Sequence, residues 1–84
     1  MTCLRIVSFC FLEIRLNGDF NTIVTDEVQF LSECSSELEN ADCIAVRPGS
    51  IILTIQGSEE GINNAVTQIE TNGLSLPSFG TMTG

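Results

Sequence analysis

Hydrophobic positions along the chain follow two periods, and the switches between them mark the elements. From Leu4 to Leu16 the even positions Leu4, Ile6, Cys10, Leu12, Ile14 and Leu16 are apolar, with Ser8 as the exception. That period of two predicts a strand. Its odd positions Val7, Phe9 and Phe11 are apolar as well, which suits a central strand with something covering each face. Asn17-Gly18-Asp19 ends it as a turn. From Thr22 to Glu39 the spacing becomes helical, with Val24, Val28, Leu31 and Leu38 on one stripe and Ile23, Phe30 and Cys34 beside it. Asp26 and Glu27 fall in the first turns, where the helix dipole favours acids, whereas Glu37 and Glu39 read as a solvated acidic face.

Alternation returns over Cys43 to Arg47 and again over Ser50 to Gln56, where Ile51, Leu53 and Ile55 share one face and Ile52, Thr54 and Gln56 the other. Arg47-Pro48-Gly49-Ser50 between them predicts a hairpin. Ser58, followed by Glu59 and Glu60, is a helix start, and Ile62, Ala65, Val66 and Ile69 form the apolar stripe of that helix. Asn72-Gly73 closes it with a left-handed cap. Leu74, Leu76 and Pro77 then make a short strand, expected at a sheet edge because proline cannot donate to a ladder.

Strand, helix, strand, strand, helix, strand predicts an α+β fold, a ferredoxin-like βαββαβ sandwich with a four-stranded antiparallel sheet and two helices on one face. It forms a single domain over residues 1–79, with 80–84 as a C-terminal tail. In that arrangement the first and third strands are central. If the even residues of the first strand meet the helices, then Val7, Phe9, Phe11, Ile52 and Ala45 lie on the uncovered face of the sheet. There they form a contiguous apolar patch that marks an interface, unless the strand is bent or the tail from Ser78 onward folds across it.

Composition narrows the functional classes. The 84 residues are 43% hydrophobic and 17% charged, enough apolar material for one core and too much for a disordered tail. Three arginines, no lysine and eleven acids give a formal charge of -8, which argues against nucleic-acid partners and anionic membranes. Arg5, Glu13 and Arg15 interrupt the apolar N-terminal stretch, so it reads as structure and not as a signal peptide or membrane span. Histidine is absent, and with it the usual general base and commonest metal ligand.

Cys3, Cys10, Cys34 and Cys43 match no zinc spacing and are expected as free thiols in a reducing, cytoplasmic compartment. The alternative is an extracellular setting with a bridge such as Cys34 to Cys43. Asn17, Asp19 and Asn21 have the opening spacing of a calcium loop, but Thr22 replaces its glycine and Val28 its terminal glutamate. Gly57 and Gly61 have no lysine nearby to make a phosphate loop. The expectation is therefore no cofactor, no metal and no ordinary enzyme activity.

At the hairpin, Val46-Arg47-Pro48-Gly49-Ser50-Ile51-Ile52-Leu53 resembles the signature of SEA domains, extracellular modules of mucins and adhesion receptors with the same order of strands and helices. The resemblance implies a step at which many members cleave themselves, here Gly49-Ser50, with the Ser50 hydroxyl attacking the Gly49 carbonyl. Pro48 and Gly49 suit the centre of a type II turn, whose twist mismatches a two-residue hairpin. In layout the chain is also similar to the N-terminal domain of the TNF-receptor-associated death-domain adaptor, which implies an adaptor or assembly class and no particular binding residue. The expected function is a non-enzymatic protein-protein interaction domain that self-associates through its open sheet face, as an adaptor module in cytosolic, innate-immune-type signalling. Its expected partners are itself and other proteins. The alternative is an SEA-type extracellular domain, with Gly49 and Ser50 as its autoproteolytic pair.

Overall fold

The computed structural model describes residues 2–4 and 9–83. It is an α+β fold whose four-stranded antiparallel sheet carries helices on one face. The strands are β1 (Thr2–Leu4), β2 (Phe9–Leu16), β3 (Ala41–Arg47) and β4 (Ile51–Gly57), in spatial order β1-β2-β4-β3. The helices are α1 (Phe20–Ile23), α2 (Glu27–Glu37) and α3 (Glu59–Asn72). A separate two-stranded sheet pairs β5 (Leu74–Leu76) with β6 (Gly80–Met82).

The two longest apolar strands, β2 and β4, occupy the centre of the sheet as their hydrophobicity requires. Leu53 and Ile55 of β4 meet Ile14 and Leu12 of β2 in register. Ile51, Leu53 and Ile55 alternate inward with no exposed surface. They pack with Phe30 and Cys34 of α2 and with Ile62, Ala65 and Ile69 of α3 in one continuous core.

Four local expectations are corrected. The period-two stretch from Leu4 to Leu16 is not one strand, because Thr2–Leu4 pairs antiparallel with Phe9–Phe11. That pairing sets Cys3 opposite Cys10, so an odd position of β1 shares a face with an even position of β2. The helix expected from Thr22 is two helices, each with its own aspartate cap. Asp19 accepts from the Asn21 N–H, and Asp26 restarts the helix by accepting from the Gln29 N–H at 3.1 Å. The inner stripe of α2 is therefore Phe30, Cys34 and then Leu38, while Val28 turns outward at 80% exposure.

The last strand does not join the main sheet as its edge. β5 turns back on β6 through a short loop that a hydrogen bond from Phe79 N–H to the Leu76 carbonyl (3.2 Å) closes, and such local closure forfeits little chain entropy. The edge beside β2 is taken instead by β1, which the Cys3–Cys10 disulfide ties down. Residues 80–82, expected in a free tail, thus form a strand; Met82 is buried, and Phe79 packs edge-on against Phe30 at a ring separation of 5.2 Å. Phe79 and Met82 pack on the helix side, and no described helix or tail residue covers the other sheet face.

The second helix of the expected pair forms as its signals predict. Ser58 caps α3 by accepting from the Gly61 N–H at 3.0 Å. Gly73 ends it with φ 73 and ψ 177: the positive φ fits glycine, but ψ is extended because the chain runs directly into β5.

Candidate interaction surface

Neither α2 nor α3 packs on the second face of the main sheet, and the register arranges its side chains in three rows. Phe11, Gln56 and Asp42 make the first, Glu13, Thr54 and Ala45 the second, and Arg15, Ile52 and Arg47 the third. Phe9 stands beyond the first row at 43% exposure. Of the residues expected on this face, Phe9, Phe11, Ala45 and Ile52 are there, the last three half-buried; Val7 lies outside the described residues.

The face is not the contiguous apolar patch that the sequence predicts. The Glu13 row separates the phenylalanines from Ile52, and Arg47 crosses β4 to form an ion pair with Glu13. The apolar positions stand out as two clusters, aromatic at one end and aliphatic at the other. The aliphatic side gains a residue that alternation alone did not reveal. Between Cys43 and Ala45 the register of β3 slips by one, so Ile44 is an extra residue between the pairs Cys43–Ile55 and Ala45–Thr54. This bulge turns Ile44 outward at 42% exposure. Its signal is the interval of three between the inward residues Cys43 and Val46, where unbroken alternation requires an even interval.

A second feature is an open strand edge. β1 covers only Phe9–Phe11 of β2, and over Leu12–Leu16 β2 is paired with β4 on one side and with no described strand on the other. A cleft of about 410 Å³ runs beside this bare edge, walled by Leu12 and Ile14 of β2, Val66, Ile69 and Glu70 of α3, and Thr83. Thr83 closes one end, its carbonyl accepting from the Asn17 N–H at 2.7 Å.

The cysteines, expected as thiols, are paired. Cys3 bonds to Cys10 across the β1–β2 ladder, and Cys34 of α2 bonds to Cys43 of β3 with Cα atoms 5.8 Å apart. The reason is geometric: ladder register sets the first pair opposite each other, and the inward stripe of α2 brings Cys34 over the inward face of β3, within disulfide reach. Gly49 and Ser50 lie in the exposed turn between β3 and β4, where Gly49 has φ 117 with open space around it.

One carboxyl is perturbed. The Ser78 hydroxyl, the Ser78 backbone N–H and the Gln29 amide together hold Glu33 below the ordinary glutamate range. The N–H donates at 2.9 Å and the amide at 2.8 Å, so the contact pins the β5–β6 turn to α2. Among the described residues there is no metal-binding cluster of three or more His, Cys, Asp or Glu, and no helix long and apolar enough to cross a membrane. No protein-family model, curated protein or solved structure matches the chain.

Proposed function

We propose that this domain is a non-enzymatic protein-protein interaction module that self-associates through its open sheet face. The observation that carries the reading is the exposure of Phe9 and Ile44 on a face that no described helix covers, beside half-buried Phe11, Ala45 and Ile52. Interface cores are enriched in aromatic residues and arginine and are bordered by polar rims, and the two phenylalanines with Arg15 and Arg47 on the same face supply those residue types. The architecture is read as a ferredoxin-like sandwich in which β2, α2, β3, β4 and α3 keep their places and β1 substitutes for the C-terminal edge strand. Light scattering on size-exclusion eluate should show dimers or larger assemblies at high micromolar concentration. Phe9→Asp should disperse them while leaving the circular dichroism spectrum unchanged, and a monomeric wild type would refute the reading.

The cytosolic adaptor setting goes with free thiols, whereas two cystines favour an oxidising compartment. That is the setting of the SEA-type alternative, which the exposed Gly49-Ser50 step also suits. No hydrogen bond to the Ser50 hydroxyl forms among the described residues that would draw off its proton, so we expect one intact chain on a denaturing gel. Two fragments split after Gly49, lost in Ser50→Ala, would establish the cleaving form.

A further inference from the structure

Among the described residues no strand pairs with the outer edge of β2 over Leu12-Glu13-Ile14-Arg15-Leu16, a segment that alternates apolar and charged positions symmetrically about its centre. We infer that a second copy of this chain docks here, β2 against β2 in antiparallel register centred on Ile14, and joins the two four-stranded sheets into one of eight strands. A strand with unpaired backbone groups is a template for another strand. A two-fold axis requires the same patch to complement itself, and this one does. Reversed upon itself, the segment sets Leu12 against Leu16, Ile14 against Ile14, and Glu13 against Arg15 twice.

The faces agree with that register. Leu12 and Ile14 point to the helix side, where they are half-buried beside half-buried Val66, so a second copy would complete their burial. Glu13 and Arg15 point to the open face, both exposed, and form two cross-strand ion pairs. Glu13 also bonds Arg47 of its own protomer, and its second carboxylate oxygen remains for Arg15 of the other copy. The window is bounded: Thr2 sits opposite Phe11 at one end, and Thr83 holds Asn17 at the other. The five residues between are those the register uses, and a slip by one in either direction runs into an occupied position. Charge complementarity decides the occupant. A chain of net charge -8 repels its own copies except where opposite charges are matched, and this segment carries one of its three arginines beside a glutamate in a self-complementary order.

This inference rests on the self-association reading and assigns it a seam other than the aromatic face, so the test separates the two. Association of the intact chain is measured by sedimentation equilibrium for the wild type, Phe9→Asp, Arg15→Glu, Glu13→Arg, an equimolar mixture of the last two, and the double swap Glu13→Arg/Arg15→Glu. Each single charge variant should weaken association about tenfold or more, because two attractive cross-strand pairs become repulsive. The mixture should associate as a heterodimer and the double swap should recover homodimers, rescues that misfolding cannot mimic. Concentration-dependent protection from hydrogen exchange should appear at amides within Leu12–Leu16. If the single charge variants associate like wild type, or disperse without rescue in the mixture, the seam is wrong. Dispersal by Phe9→Asp alone would then leave the open-face reading standing. A wild type that stays monomeric overturns both.

Discussion

At the scale of single residues the most informative side chain is Glu33, which ties the C-terminal hairpin to α2. Its carboxylate accepts from the Ser78 N–H at 2.9 Å and from Gln29, and Gln29 itself donates to the Ser78 hydroxyl at 3.0 Å. These contacts favour the charged form and lower the folded-state pKa below the ordinary value of 4.5. A depressed carboxyl stabilises the fold fully above its unfolded value and loses that contribution as pH falls through the folded one. The advantage of wild type over Glu33→Gln in melting temperature should therefore be constant above pH 4.5 and should vanish on acidification below it. Ser78→Ala should move the Glu33 titration, followed by carboxyl carbon shifts, back towards the ordinary value. A midpoint unchanged in Ser78→Ala, which keeps the backbone N–H, would show that the hydroxyl does not hold Glu33 in solution. Nothing in the sequence marks the pair, since Glu33 and Ser78 lie far apart in the chain and meet where the C-terminal hairpin packs on α2, Phe79 against Phe30.

The two disulfides set the stability of the elements they join. Cys34–Cys43 fastens α2 to β3 and Cys3–Cys10 fastens β1 to β2, over sequence separations of 9 and 7. Loops of this length correspond to about 2–3 kcal/mol of unfolded-state entropy each, and in a domain of this size 1 kcal/mol moves the melting temperature by roughly 4–8 °C. Alkylation of unreduced, unfolded protein should find no thiol. Replacing Cys34 and Cys43 together by alanine should lower the melting temperature by about 10–20 °C. Loss of Cys3–Cys10 should act locally, freeing a three-residue β1 and raising hydrogen exchange over Phe9–Phe11. Elements with a strong period and a cap were legible in sequence: β4, α3 with Ser58, and the β3–β4 hairpin formed as their residues predict. The stretch before Leu16 was not, because an antiparallel pairing can change parity across its reversal and still leave every second residue apolar. Nor was the departure of β5, which depends on which strand reaches the edge of β2 first in space. The candidate surface was half legible for the same reason. Alternation put Phe9, Phe11 and Ile52 on one face, but the bulge that exposes Ile44 and the ion pair that divides the face are properties of register.

For the whole molecule the governing quantity is a net charge of -8 on 84 residues. The acids are spread over the surface while only three cations answer them, and one of these, Arg47, is engaged by Glu13. Two such molecules repel at long range whatever seam they use. The screening length falls from about 30 Å at 0.01 M ionic strength to about 8 Å at 0.15 M, so salt in this range removes most of the repulsion between protomers. It removes much less of an attraction between groups in direct contact, such as Glu13 and Arg15 across the β2 seam. Association measured by sedimentation should accordingly tighten between these two ionic strengths and change little beyond. The melting temperature of the protomer should rise over the same interval, since repulsion within it is screened too. If added salt instead weakened association steadily, matched charges would be supplying most of the attraction, and the apolar groups of the open face and the cleft would be bystanders to assembly.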